Sequence, residues 1–192
     1  MKNYLLVIVV GVLSACTSTV VKDNSESNED SQEISLDQYC ETNDCRNNRK
    51  VELLVESGLI EELLELYWPV VMENRVSLLP GDKVYIEAEI VGGMVTNLNQ
   101  VEEPIHEDRT ITFDFGQMEG EIGMMLSVQN PFNKPMKYHL DMIDFQGNSH
   151  QTSSCAVMAS GGAFEHWPHA IPELIVSNIR AIDKSDSIEC VY

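Results

Sequence analysis

Apolar and polar residues alternate with a period of two through much of the chain. Val84, Ile86, Ala88 and Ile90 alternate with Lys83, Glu87 and Glu89, and Ile111, Phe113 and Phe115 with Thr110, Thr112 and Asp114. Ile122, Met124, Leu126 and Val128 form a third row after Gly116 to Gly120, and Met136, Tyr138, Leu140 and Met142 a fourth. Side chains two apart share one face of an extended backbone, so each row predicts a strand with one buried and one wet face. Leu79-Pro80-Gly81-Asp82, Gly92-Gly93 and Asn130 to Pro135 carry the residues that turns require. A strand from Met94 to Leu98 is followed by an acidic loop through Pro104 and His106.

The flanks are less regular. Val51, Leu53 and Val55 alternate with Lys50, Glu52 and Glu56, which predicts a strand interrupted in pattern by Leu54. Leu59, Ile60, Leu63, Leu64 and Tyr67 fit helical spacing, with Glu61, Glu62 and Glu65 opposite, and predict a short helix ended by Pro69. Ser149 to Met158 reads as a strand and Gly161 to Pro172 as a loop. Leu174 to Ile182 and Ser187 to Tyr192 read as closing strands. The sum is an all-β, mainly antiparallel fold, an immunoglobulin-like or related β-sandwich with one short helix.

The N-terminus changes the setting. Tyr4 to Val12 is apolar but shorter than the roughly 20 residues that span a bilayer; it fits the about 7–15 residues of a signal-peptide core. Leu13-Ser14-Ala15-Cys16 directly behind it resembles the lipobox of bacterial lipoproteins. That resemblance implies a diacylglycerol on the Cys16 thiol, cleavage after Ala15, and acylation of the new amino terminus. Each buried methylene adds about 0.8 kcal/mol of membrane affinity, so several chains on one residue hold it there. Thr17 stands where aspartate marks inner-membrane retention in enteric bacteria, which by analogy favours the outer membrane, facing the periplasm. Thr17 to Gln38 is polar and aperiodic, the composition of a disordered tether. The expected organisation is a signal peptide over 1–15, lipidated cysteine and tether over 16–38, and a single β-sandwich domain over 39–192.

The formal charge of -19 argues against nucleic acid and against anionic lipid bound through a basic patch. The membrane is expected to be reached through the acylated terminus alone, and a protein of the envelope is the expected partner. With Cys16 assigned to lipid, Cys40, Cys45, Cys155 and Cys190 remain, an even number in an exported chain. Of three connectivities, Cys40–Cys45 and Cys155–Cys190 are favoured, closing a short loop and tying down the C-terminal segment. Zinc is the rival, but the other two cysteines lie far apart for a structural site.

Candidate chemistry is sparse. His166 and His169 flank Trp167-Pro168, with Glu165 adjacent and His150 upstream, and imidazoles suit copper or zinc. Thioethers of Met124, Met125, Met136 and Met142 suit Cu(I), yet Met124 and Met142 fall in the apolar phase of strands, where methionine ordinarily packs. Pro168 predicts a turn whose Trp167 plugs the end of the sandwich. The metal site therefore stays the alternative, and no cofactor is expected. His106-Glu107-Asp108 with Glu102 and Glu103 lacks the spacing of a calcium loop, and His139 and Asp141 share a strand face with Lys137. No nucleophile elbow, metalloprotease helix or phosphate-binding loop is present. Asn130-Pro131-Phe132, Thr152-Ser153-Ser154-Cys155 and Glu165 to His169 together resemble segments of uncharacterised exported bacterial proteins, a likeness that implies no activity. The expectation is a non-enzymatic, lipid-anchored binding or assembly module, with metal handling as the alternative and a hydrolase third.

Overall fold

The computed structural model describes residues 34–183 and 188–190. A short helix, α1 (Leu36–Cys40), precedes a hairpin of β1 (Arg46–Val55) and β2 (Gly58–Tyr67). The remaining strands are β3 (Val71–Met72), β4 (Arg75–Leu78), β5 (Asp82–Val91), β6 (Met94–Val101) and β7 (Thr110–Gln117). They are followed by β8 (Met124–Gln129), β9 (Met136–Ile143), β10 (Ser149–Thr152), β11 (Gly162–Trp167) and β12 (Glu173–Ala181). The main sheet runs β10-β9-β12-β6-β5-β7-β8-β11, with β4 on β12 and β3 on β4, and β1-β2 forms a separate two-stranded sheet. Pairing is antiparallel throughout these ladders. The fold is all-β and sandwich-like, as the alternation predicts.

The predicted rows become the core. Ile86, Ile111, Phe113, Phe115, Leu126 and Leu140 are fully buried, in one cluster with Met124, Met136 and Tyr138. The two ends of the long sheet are brought together by side chains. Trp167 at the end of β11 donates its Nε1–H to Thr152 Oγ1 on β10 at 2.9 Å and stands edge-on to Phe115 at 6.5 Å. Glu165 on β11 accepts the backbone N–H of Cys155 at 2.8 Å. Burial raises the Glu165 carboxyl above its ordinary range, and that N–H opposes the shift. Asn130 explains the Asn-Pro-Phe segment structurally. Its buried amide donates to the carbonyls of Lys134, Val157 and Met158, and its Oδ1 accepts from Phe132 N–H.

Both disulfides form as expected, Cys40–Cys45 and Cys155–Cys190. Several local expectations are corrected. Residues 59–67 are not a helix but β2, because pairing with β1 satisfies every second backbone group that a helix would have bonded internally. The loop expected over 161–172 contains β11, hydrogen-bonded to β8. The strand expected from Ser149 stops at Thr152, and β8 begins at Met124, after Ile122. Ile188, Glu189 and Cys190 are not in a strand; the rest of that closing segment lies outside the described residues. Leu36 to Gln38, placed in the tether, are helical, capped by Ser35, whose Oγ accepts from Gln38 N–H while Gln38 Oε1 accepts from Ser35 N–H. The signal segment, Cys16 and the tether up to residue 33 lie outside the described residues.

Candidate functional site

The hairpin β1-β2 has two unlike faces. Its register pairs Lys50 with Leu63, Glu52 with Glu61 and Leu54 with Leu59 on one face, and Arg49 with Leu64, Val51 with Glu62 and Leu53 with Ile60 on the other. The second face turns to the body, where Leu53 is buried. The first faces outward, leaving Leu59 60% and Leu63 58% exposed. Leu63 stands opposite Lys50, which is ion-paired to Glu61 at 2.7 Å, and Leu59 stands opposite Leu54.

A polar junction fastens the hairpin to the sandwich. Arg46, whose side chain is only 9% exposed, donates from Nη2 to the carbonyl of Ser77 and lies 3.6 Å from Asp82. Arg49 pairs with Asp82 at 2.9 Å and donates to Pro80 O at 3.1 Å. Asp82 also accepts from Leu79 N–H, closing a turn in which Gly81 has φ +83°. A positive φ at the third turn position, behind Pro80, is the type II arrangement that favours glycine. Glu173 on β12 is buried and accepts from Tyr67 OH at 2.7 Å and from Ser77 Oγ. Burial lowers the Arg46 pKa, opposed by Asp82 and Glu173, yet a guanidinium stays charged at any working pH. Burial, then the bond to Glu173, pushes the Tyr67 phenol up, so it remains a donor. On the far side, Gln117 clamps the β1 edge, accepting Leu54 N–H at 2.7 Å and donating to Leu54 O at 2.8 Å.

Between hairpin and body runs a groove of two lobes. The larger, about 500 Å³, has aromatic walls of Tyr39, Tyr67 and Trp68 with Met72, and carries Glu73 and Arg75. Tyr39, held on α1 beside the Cys40–Cys45 bridge, meets Trp68 edge-on at 5.2 Å. The smaller, about 230 Å³, is floored by Val51, Leu64, Phe145 and Pro172, with Glu62 and Asp144 in its wall. Tyr67, Ile143, Gly147 and Glu173 line both lobes.

Asp144 sits in the turn between β9 and β10 and accepts from His150 Nε2 at 2.8 Å and from Asn148 and Gln146 N–H. The His150 bond, followed by those from Asn148, holds its carboxyl far below the usual range. A carboxyl depressed on folding contributes stability above its unfolded pKa and loses it as pH falls through the folded value. Asp144→Asn should therefore remove part of the acid-side slope of thermal stability below about pH 4. Melting curves across that range check this, and an unchanged slope would refute it.

The sequence-selected histidines do not converge. His150 is taken by Asp144, His166 on β11 pairs in register with Met125, and His169 lies exposed with its Nδ1 3.3 Å from Ala170 O. No group of three or more metal-ligating side chains occurs among the described residues. Met124 and Met136 are buried in the core. His106 and its acidic neighbours form an exposed loop, closed by Thr110 Oγ1 donating to His106 O. His139 contacts Asn178 Nδ2 at 3.3 Å rather than Asp141. Sequence reading missed the junction of Arg46, Asp82 and Glu173 altogether; the nearest signal is an arginine and a glutamate at strand ends beside apolar runs.

No family model matches the chain, and no curated protein or solved structure is significantly similar to it.

Proposed function

We propose that this is a lipid-anchored, non-catalytic module of the cell envelope that binds another protein through the β1-β2 hairpin. The observation that carries the reading is the outward face of that hairpin, where Leu59, opposite Leu54, and Leu63 are exposed on either side of the Glu52–Glu61 pair while the opposite face is fastened to the body. Exposed apolar side chains rimmed by charged ones, as Leu59 and Leu63 are by Lys50, Glu52 and Glu61, are the pattern of an interaction surface when they form one patch. The lipobox at Leu13 to Cys16 supports a membrane address, and an acyl anchor would confine the search for a partner to the envelope.

Two measurements test it. Cys16→Ser should move the protein from the membrane fraction to the soluble one; a variant that still sediments and needs detergent would remove the anchor. Purification of the full chain from detergent-solubilised envelopes should return one protein reproducibly, and Leu59→Ser/Leu63→Ser should lose it. Repeated recovery of none would end the binding reading.

A further inference from the structure

We propose that the two-lobed groove between hairpin and body is a docking site for an extended basic segment of a partner protein, one presenting a Lys or Arg beside an apolar side chain. This rests on the reading of the domain as a binding module and names the chemistry of its partner.

The lobes differ in what they can hold. The aromatic lobe is lined by Tyr39, Tyr67, Trp68 and Glu73, and since the Arg46 guanidinium already lies 6.0 Å from the Tyr67 ring centre, Tyr39 and Trp68 are the rings left to a ligand. Rings with an acid nearby favour a cation, since the negative ring face attracts it and the carboxylate supplies a counter-charge. The second lobe offers Val51, Leu64, Phe145 and Pro172, an apolar floor suited to an aliphatic or aromatic side chain. The residues lining both lobes join them into one track. A chain lying along it would place neighbouring side chains in chemically distinct sites, which is how extended peptides are read.

Charge selects the occupant. Exposed Glu62 and Glu73 line the track against Arg75, while Glu173 is engaged by Tyr67, Ser77 and the Arg46 charge and Asp144 by His150. Arg46 and Arg49 behind it are engaged by Asp82. The protein as a whole carries -19, so a second copy of this chain or an acidic peptide would meet repulsion over the whole approach. A basic segment would be steered in.

The test uses the full chain in detergent and short fluorescent peptides in low salt. A peptide alternating lysine and valine should bind, and one alternating glutamate and valine should not. A lysine-only peptide of equal charge should bind at least tenfold more weakly, because it cannot fill the apolar lobe. Glu62→Lys/Glu73→Lys, which alters exposed positions only, should weaken the lysine–valine peptide at least tenfold. Equal binding of the lysine–valine and lysine-only peptides, insensitivity to the double reversal, or no binding at all would overturn the groove. A partner still captured from envelopes by the reversed variant would also remove the groove, while leaving the binding-module reading in place.

Discussion

Glu173→Ala is expected to be among the most damaging single changes in this domain, costing about 3 kcal/mol. The carboxylate is 8% exposed and serves three donors or charges at once: Tyr67 OH, Ser77 Oγ and the Arg46 guanidinium near it. Its removal leaves the buried Ser77 hydroxyl and the half-buried Tyr67 hydroxyl without this acceptor and a buried cation with Asp82 as its remaining counter-charge, at 3.6 Å. For a domain of this size, about 2–4 °C is lost per kcal/mol, so the midpoint should fall by roughly 6–12 °C. Tyr67→Phe deletes one donor and leaves the acid bonded to Ser77, so it should cost only about 1.5 kcal/mol. Hydrogen exchange adds a local signature. In Glu173→Ala the amides of β1 and β2 should lose protection before those of β7 and β8, since the hairpin is what this junction fastens. A midpoint within 2 °C of the parent would show that the hairpin is held by its apolar face alone.

The second large effect concerns the C-terminal bridge. Cys155→Ala/Cys190→Ala removes a link between residues 35 apart, worth about 4 kcal/mol by loop-closure entropy. Cys40→Ala/Cys45→Ala opens a link of separation 5, worth about 2 kcal/mol on the same account. Denaturant midpoints of both double variants should therefore rank in that order. The long bridge has a second reason to matter, because Cys155 N–H is the donor that Glu165 accepts across to β11. Equal losses, or a larger loss from the short loop, would mean that the C-terminal segment is held by its other contacts.

What could be read from the sequence follows from burial geometry. Strands β5, β7 and β9 were legible because apolar residues hold one phase, marked by Ile86, Phe113 and Leu140, even though the polar phase of β9 is not wet and its Lys137 is buried. Strand β2 was not, because apolar residues occupy both of its faces: Leu59 and Leu63 outward, Ile60 and Leu64 inward. That two-sided pattern matches helical spacing, and only pairing with β1 resolves it. Strand β11 was hidden for the opposite reason. It exposes Phe164 at 69% and half-buries Glu165, inverting the expected code until Trp167 at its end, which is buried. With Cys16 set aside, four of the five cysteines left three connectivities open, and the favoured one, a local pair plus a tie to the C-terminal segment, is the one that forms. The groove left no local trace at all. Its walls come from α1, both hairpin strands, the stretch from Trp68 through β3 to Arg75, the turn after β9 and the start of β12, so the stretch from Tyr67 to Arg75 holds only part of one lobe.

The joining of β10 to β11 through Trp167 and Thr152 bears on how copies of this chain would tolerate one another. Sheet ends are adhesive, since unpaired backbone groups recruit further strands. Here the two ends of the long sheet occupy each other's side chains. Strand β2, in the separate hairpin, bears exposed Glu61, Glu62 and Glu65, so two such strands approaching would bring acid against acid. The same three acids that mark β2 as an edge thus also guard it against pairing with its own kind.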